Sequence, residues 1–295
     1  MASTKQPPVE AAPKEYRTHT LFDWIKRMAR HRLCLGGFIL LSLIVLMSVF
    51  APFLTPHDPL TTDPRNRLLP PSEDNWLGTD PFGRDLFARI VFGSRLSLIV
   101  GLLTVFFSTV GGIVLGLLAG YFPRLDAPVM RVVDGLMAFP SLLLAIALMG
   151  ALGAATSNVI IALSVVYAPR MARIVRGSIL SVREMEYVDA ARASGAGDLV
   201  IMLRHILPNC FAPIMVQATF TFAFAVLAEA ALSFLGAGTP PPTPSLGNIM
   251  TEGRPHIRGA PWIIMYPGLV VMITVMALNL MGDGLRDTLD PRLRT

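Results

Sequence analysis

Long apolar runs separated by short charged segments dominate this chain of 295 residues. Five stretches contain no Asp, Glu, Lys, Arg or His and exceed the roughly 20 residues that a helix needs to cross a bilayer. They are Leu33–Pro56, Leu96–Pro123, Gly135–Pro169, Ile206–Ala228 and Gly259–Gly282. The pattern predicts an all-α polytopic membrane protein. We expect the helix that starts near Ile206 to continue past Glu229 to Gly236.

The third stretch is too long for one span. As a single helix, Gly135–Pro169 would measure about 52 Å, whereas the hydrocarbon core is about 30 Å thick. Small and polar residues cluster at Gly153–Asn158, which favours a turn there and two helices. Both helices are then slightly short, so their outer ends are expected to run past Asp134 and Arg170.

The distribution of Lys and Arg supports six spans. With a cytoplasmic N-terminus, six spans place 18 Lys and Arg inside and 7 outside, whereas five spans place 11 inside and 14 outside. Positive charge accumulates on the cytoplasmic side. The prediction is therefore a cytoplasmic tail (1–32) and a transmembrane domain (33–294), with both termini cytoplasmic. Loops 124–134 and 170–205 lie inside, and loops 57–95 and 237–258 lie outside.

Composition agrees with a membrane environment. Charged residues make up 15% of the chain, against about 25% in soluble domains. The net charge of +5 lies between apolar runs, which argues for lipid rather than nucleic acid as the partner. Leu21–Met28 has the spacing of a short interfacial helix, and residues 1–18 have the composition of a disordered tail. Cys34 and Cys210 are interpreted as small buried residues.

The segment 170–208 carries the most informative pattern. It contains Glu186-Tyr-Val-Asp-Ala-Ala-Arg-Ala-Ser-Gly and then Arg204-His-Ile-Leu-Pro-Asn. This predicts a short helix over Met185–Ser194, broken at Gly195 and Gly197, and a second helical stretch that ends at Pro208 or enters the next span there. The two helices would form a protruding knob with a smooth alanine surface. A solvated connector is the alternative interpretation.

This segment resembles the EAA loop of binding-protein-dependent importers of the ATP-binding-cassette type. Asp189 stands for the Glu of that motif, and His205 departs from its Ile. The matching positions are Asp189, Ala190, Ala191, Gly195, Leu207 and Pro208. Three further segments are similar to the C-type permease subunit of the peptide and nickel branch. They are Leu77–Asp85, Glu229–Gly236 and Gly282–Pro291.

The resemblance implies a type I importer permease of the bacterial inner membrane that translocates dipeptides or oligopeptides by alternating access. Nickel or another small solute is the alternative cargo. It also implies a second permease subunit, two ATP-binding subunits that carry ATP and Mg²⁺, and an extracytoplasmic solute-binding protein. The residues expected to couple to the ATPase are Glu186, Tyr187, Asp189, Ala190, Ala191, Arg192, Gly195, Leu207 and Pro208. A large residue at Ala191 is expected to block docking.

The sequence predicts no ATP site, cofactor or catalytic centre in this chain. Its three lysines, Lys5, Lys14 and Lys26, do not lie in a Gly-Lys-Ser/Thr phosphate loop. All five histidines fall outside the apolar stretches, which argues against an intramembrane protease. A secondary transporter is the more serious rival, but it would show internal repeats and buried coupling charges.

Three other features allow two interpretations each. Glu229 sits in apolar sequence, so it lines or gates the solute path, or forms a structural hydrogen bond. The residues Gly78, Asp80, Gly83, Arg84 and Asp85 either contact a binding protein or shape their own loop. Ser108, Gly112, Gly116 and Gly120 recur every four residues, which is typical of close helix packing rather than solute binding.

Overall fold

The protein is described here by a computed structural model over residues 32–289. Within this range every regular element is a helix, and one isolated antiparallel bridge joins Thr79 and Asp85. The prediction of an all-α protein is confirmed. The expected interfacial helix at 21–28, the tail 1–18 and the chain end 290–295 lie outside the described residues.

Nine helices of eight or more residues occur between residues 32 and 289. They are α1 (Arg32–Val49), α2 (Leu86–Tyr121), α3 (Pro123–Met137), α4 (Ser141–Leu152), α5 (Thr156–Val182), α6 (Glu186–Ala193), α7 (Phe211–Phe234), α8 (Leu246–Gly253) and α9 (Trp262–Leu289). Helices α2, α5 and α9, and the run Asp198–Phe234 that contains α7, are long and apolar enough to cross a membrane. Helices α3 and α4 form a pair bent by 93°, and α1 is a shorter apolar helix.

The third apolar stretch divides as expected. Helix α4 ends at Leu152 and α5 begins at Thr156, with Gly153 at a φ of +87° between them. Helix α5 runs past Arg170 to Val182, so residues 170–182 continue the helix instead of forming a loop.

The segment before the third stretch differs from the expectation. The predicted loop 124–134 is helix α3, and the chain then bends before α4 instead of continuing straight past Asp134. Pro140 explains the bend, since proline lacks the N–H that a continuous helix requires and disfavours helical backbone before it. The amphipathic α3 is held to α5 by two hydrogen bonds of 2.6 Å from Arg176 to Asp126.

Helix α2 begins at Leu86, ten residues before the apolar stretch Leu96–Pro123 from which it was predicted. The Asp85 carboxylate caps it by accepting a hydrogen bond from the Ala88 N–H at 2.7 Å. Arg89 is 1% exposed and is neutralised by acidic side chains from outside the helix. The charge-free criterion placed the start too late because the exposed Arg95 ends the charge-free stretch, although the helix runs through it and through the buried Arg89.

The glycine stripe of α2 packs closely against another helix, as expected, and that helix is α5. A Cβ atom added to Gly112, Gly116 or Gly120 would lie 2.5, 2.6 or 2.9 Å from the Cβ of Met171, Val175 or Ile179, respectively. Contacts this short exclude any side chain, so the two backbones approach closely over more than two helical turns. Helices α2 and α5 therefore form a rigid pair.

Candidate functional site

The EAA-like sequence folds at the end of the helix bundle where α2 ends at Tyr121. Helix α6 follows Met185, whose backbone is extended, and it buries Val188 and Ala191 on one face. These two side chains join a hydrophobic core with Leu117 of α2 and Val175 of α5. The predicted helix at Met185–Ser194 is confirmed. Its burial face attaches it to the bundle.

Gly195 makes the turn that ends α6. Its φ is +83°, a left-handed conformation that residues with a side chain rarely adopt. The Gly195 N–H donates to the Arg192 carbonyl at 2.9 Å, and the Ala196 N–H donates to the Ala191 carbonyl at 3.1 Å. These bonds satisfy carbonyls at the helix end. The glycine of the motif is thus required by backbone geometry.

The chain then returns to the bundle through residues 198–210. One helical turn (Asp198–Val200) leads into a π-helical turn (Ile201–Ile206) and a 3₁₀ turn (Leu207–Cys210), and α7 follows at once. Ile201, Ile206 and Cys210 are buried in the same core as α6. The expected second helical stretch is confirmed, and Pro208 marks entry to the next span. Leu207 is half-buried and Pro208 is exposed.

The motif residues divide into an exposed face and a packed face. On α6, five of them are exposed: Glu186, Tyr187, Asp189, Ala190 and Arg192. Ala191 is 8% exposed and belongs to the core. Successive helical residues point about 100° apart, so Ala190 and Ala191 do not form the single smooth surface that the sequence suggested.

An exposed apolar surface beside α6 was missed by the sequence analysis. Its members are Met185, Leu199, Val200 and Leu203, which are 50%, 65%, 48% and 50% exposed, respectively. Leu199 and Leu203 lie four residues apart and therefore on one side of their helical stretch. The sequence feature that could have revealed this surface is the helical spacing of apolar residues after Gly197. That spacing is typical of a buried helix face, but here the face is exposed.

At the other end of α2, the residues Asp80, Arg84, Arg89 and Glu252 form a charged cluster. Arg89 pairs with Asp80 at 2.5 Å and also with Glu252, and Arg84 pairs with Asp80 at 2.5 Å and with Glu252 at 2.6 Å. Asp80 is 0% exposed. The cluster is neutral overall and joins the loop before α2 to helix α8.

All five residues expected to meet a binding protein are buried. They are Gly78, Asp80, Gly83, Arg84 and Asp85. A Cβ atom on Gly83 would lie 1.8 Å from the Asp63 carbonyl oxygen, so this loop is folded on itself. Burial raises the pKa of the Asp85 carboxyl, and the hydrogen bond from Ala88 and the nearby His57 oppose that shift. The geometry favours an internal loop fold over direct contact.

Other residues of this loop are open to solvent. Trp76 is 62% exposed and packs on Phe87 with ring centroids 5.1 Å apart, and Phe82 is 45% exposed beneath the Arg84 guanidinium. A cavity of about 990 Å³ lies beside Trp76, and the acidic residues Glu73 and Asp74 line part of it. Among residues 32–289, no group of three or more His, Cys, Asp or Glu side chains is placed to hold a metal ion.

Glu229 is 0% exposed inside the bundle. Its carboxylate accepts hydrogen bonds from the Ser97 hydroxyl of α2 at 2.6 Å and from the Ser233 hydroxyl of its own helix at 2.9 Å. The side chain therefore joins α7 to α2 and lines no opening within this chain. This geometry favours the structural alternative.

Comparisons with known proteins agree with this architecture. Residues 112–295 match the binding-protein-dependent transport system inner membrane component family, and residues 21–71 match the N-terminal transmembrane domain of oligopeptide transport permease C. A putative peptide transport system permease protein of Brucella abortus is 51% identical over 91% of each chain. The dipeptide transport system permease protein DppC of Alkalihalophilus pseudofirmus is 42% identical over 98% of this chain and 96% of its own length.

A solved structure shows the same fold. A chain of the MetNI methionine ABC transporter is superposable with a TM-score of 0.56 and 22% identity, covering 68% of this chain and 96% of that chain. This likeness confirms the expected fold class, that of a type I importer permease. Taken with the relatives, it shows that the chain belongs to the family of binding-protein-dependent transport system inner membrane components.

Proposed function

We propose that this chain forms one half of the membrane pore of an ATP-driven peptide importer. The observation that carries the proposal is helix α6. It packs against the long helices α2 and α5 through Val188 and Ala191, and its opposite face is exposed at the end of the bundle. The relatives are named as peptide or dipeptide permeases at 42–51% identity, which supports a peptide cargo.

The remaining parts of the machine follow from this assignment. A second permease chain completes the pore, two ATPase chains bind ATP and Mg²⁺ and perform the hydrolysis, and an extracytoplasmic protein delivers the peptide. Both termini and residues 186–210 lie on the cytoplasmic side of the inner membrane, and the charged cluster lies on the opposite side. Delivery outside, closure of the ATPases and release inside then give alternating access.

The surface that meets an ATPase chain consists of the exposed face of α6 and the apolar residues beside it. Ala190 lies where a small side chain permits close approach, with Glu186, Tyr187, Asp189 and Arg192 around it. Leu199 and Leu203 add exposed apolar area to this surface, which a docked ATPase chain would remove from water. Ala191 acts differently, because its methyl group fills the core beneath the surface. Gly195, Leu207 and Pro208 shape the return to the bundle.

The other predicted site residues take supporting roles in this proposal. Asp80, Arg84 and Asp85, with Gly78 and Gly83, shape the outer loop whose exposed Trp76 and Phe82 face the binding protein. Tryptophan and phenylalanine are typical of interface cores, which supports the assignment. Glu229 stabilises the contact between α2 and α7 through its hydrogen bonds and does not itself contact the solute.

A bulky residue on the exposed face tests the ATPase site. We expect Ala190→Trp to prevent the ATPase chains from co-purifying with the tagged permease in mild detergent, because the indole would fill the space that an incoming surface requires. Ala127→Trp is the matched control, since Ala127 is also exposed but lies on α3. Retention of ATPase chains in full amount by Ala190→Trp would show that docking occurs elsewhere.

The same preparation separates this proposal from the secondary-transporter alternative. We expect the unmodified chain to bring down ATPase chains, and uptake by reconstituted vesicles to require ATP. Purification of the permease with no ATPase partner, together with uptake that follows a proton gradient, would contradict the importer assignment.

A further inference from the structure

Tyr121, the last residue of α2, lies where the segment 186–210 meets the long helices. Its side chain is 9% exposed, and its hydroxyl donates a hydrogen bond of 2.6 Å to the Asp198 carboxylate. The Arg192 guanidinium of α6 lies 6.0 Å from the centre of its ring. One side chain of α2 thus contacts both halves of the segment 186–210, on either side of the Gly195 turn.

The end of α2 is held on its other side by α5. Arg183, directly after α5, donates a hydrogen bond of 3.0 Å to the Gly120 carbonyl. That carbonyl is one of the last four of the helix, which have no partner within it. The Tyr121–Asp198 bond is a direct hydrogen bond between α2 and the segment 186–210. The Arg192 side chain lies beside the same tyrosine, and Leu117 of α2 adds apolar contacts in the core.

Helix α2 connects this point to the opposite end of the molecule. Its 36 residues form one uninterrupted helix of about 54 Å. Arg89, in its first turns, belongs to the charged cluster and holds α8 through Glu252. The middle is tied to α7 by the Ser97–Glu229 hydrogen bond. A displacement of Tyr121 along or around the helix axis therefore reaches the charged cluster without passing through a flexible loop.

From this arrangement we propose that Tyr121 is a positioning residue for transport. Its hydroxyl, bound to Asp198, transmits movement of the segment 186–210 to α2 and thereby to α8. The inference rests on the proposed ATPase docking at α6. Apolar contacts in the core hold the segment in place, but they are non-directional. The hydrogen bond to the charged Asp198 carboxylate is short and directional, so it fixes the position of Asp198 relative to Tyr121.

The test uses the whole complex, with partner permease and ATPase chains, in lipid nanodiscs. Hydrogen exchange of residues 246–253 is measured with and without ATP plus vanadate, and retention of ATPase chains is measured in parallel. We expect Tyr121→Phe to keep the ATPase chains and to reduce the ATP-induced change in exchange about five- to tenfold. Couplings between distant sites commonly lie in this range or above it.

Three further variants and one control identify the hydrogen bond as the cause. Asp198→Ala removes the acceptor and should reproduce the effect, whereas Asp198→Asn keeps an acceptor oxygen and should restore most of the response. Tyr121→Phe combined with Asp198→Ala should lose no more than either change alone, because both remove the same bond. Tyr167→Phe is the matched control, since the buried Tyr167 hydroxyl donates instead to the Phe224 carbonyl at 3.2 Å.

Each outcome has a separate meaning. An unchanged response in Tyr121→Phe, with ATPase chains retained, overturns the role of Tyr121 and leaves the docking proposal intact. Loss of the ATPase chains in Tyr121→Phe also overturns it, since the tyrosine would then only hold the docking surface. Failure of the unmodified chain to bind ATPase chains instead contradicts the proposed function itself.

Discussion

Glu229 shows how a single polar residue is accommodated in an apolar bundle. A buried carboxyl costs free energy unless hydrogen bonds compensate it, and Ser97 and Ser233 supply two such bonds. The serines are in turn satisfied by the carboxylate. Sequence alone identified the residue as unusual, but the serine partner on α2 lies 132 positions away, so its role depended on the fold.

The two roles considered for Glu229 predict different mutant behaviour. We expect Glu229→Gln to keep its apparent melting temperature and its uptake, because an amide of the same shape can still bond both hydroxyls. Glu229→Ala should melt several degrees lower, since each hydroxyl left unpaired costs about 1–3 kcal/mol. Melting is followed by intrinsic fluorescence in detergent. Loss of uptake in Glu229→Gln without any change in melting would favour a direct role in the solute path.

Among the elements, helix identity followed from the sequence more reliably than helix ends. The apolar stretches predicted α5, α7 and α9 because lipid-crossing helices must be apolar. The start of α2 was missed, since Arg95 ends the charge-free stretch within the helix, and since the charge of Arg89 is neutralised by Asp80 and by the distant Glu252. The short helix α6 and its Gly195 turn were foreseen from local pattern. The inward orientation of Ala191 was not, because it depends on which face of α6 packs on the core.

Close approach of α2 and α5 depends on Gly116. We expect Gly116→Ala to lower stability by about 1–3 kcal/mol, because its new methyl group would overlap the Val175 side chain. The measurement is the apparent melting temperature of the purified protein. Gly177→Ala on α5 is the control, since nothing lies within 4 Å of its added Cβ and alanine favours helix. Equal melting of the two variants would contradict close packing at Gly116.

For the whole molecule, the charged cluster and the Tyr121 contact mark the two ends of one long helix. Arg84 and Glu252 meet although 168 positions separate them in the chain. No sequence pattern indicates that pairing, which arises only when α8 returns to the start of α2. The loop motif Leu77–Asp85 was recognised from its resemblance, but its charged residues Asp80 and Arg84 turn inward, and Arg84 pairs with α8, whereas Phe82 of the same motif stays exposed.

The charged cluster therefore predicts a compensating pair of substitutions. Arg84→Met leaves excess negative charge in a buried site, and Glu252→Gln leaves excess positive charge, so each should destabilise the protein. Breaking a buried ion pair typically costs about 3–5 kcal/mol. The double variant restores neutrality. We therefore expect its melting temperature to fall by less than the sum of the decreases in the two single variants.

Melting temperature and stimulation by the binding protein distinguish this charged cluster from a contact surface. If Arg84 acts by holding the charged cluster together, Arg84→Met lowers both the melting temperature and the stimulation by the binding protein. Adding Glu252→Gln to the same chain should then recover part of each. Trp76→Ala, by contrast, should keep its melting temperature and lose stimulation, because Trp76 is exposed. If the Arg84→Met protein melts normally yet is no longer stimulated by the binding protein, Arg84 contacts the binding protein directly.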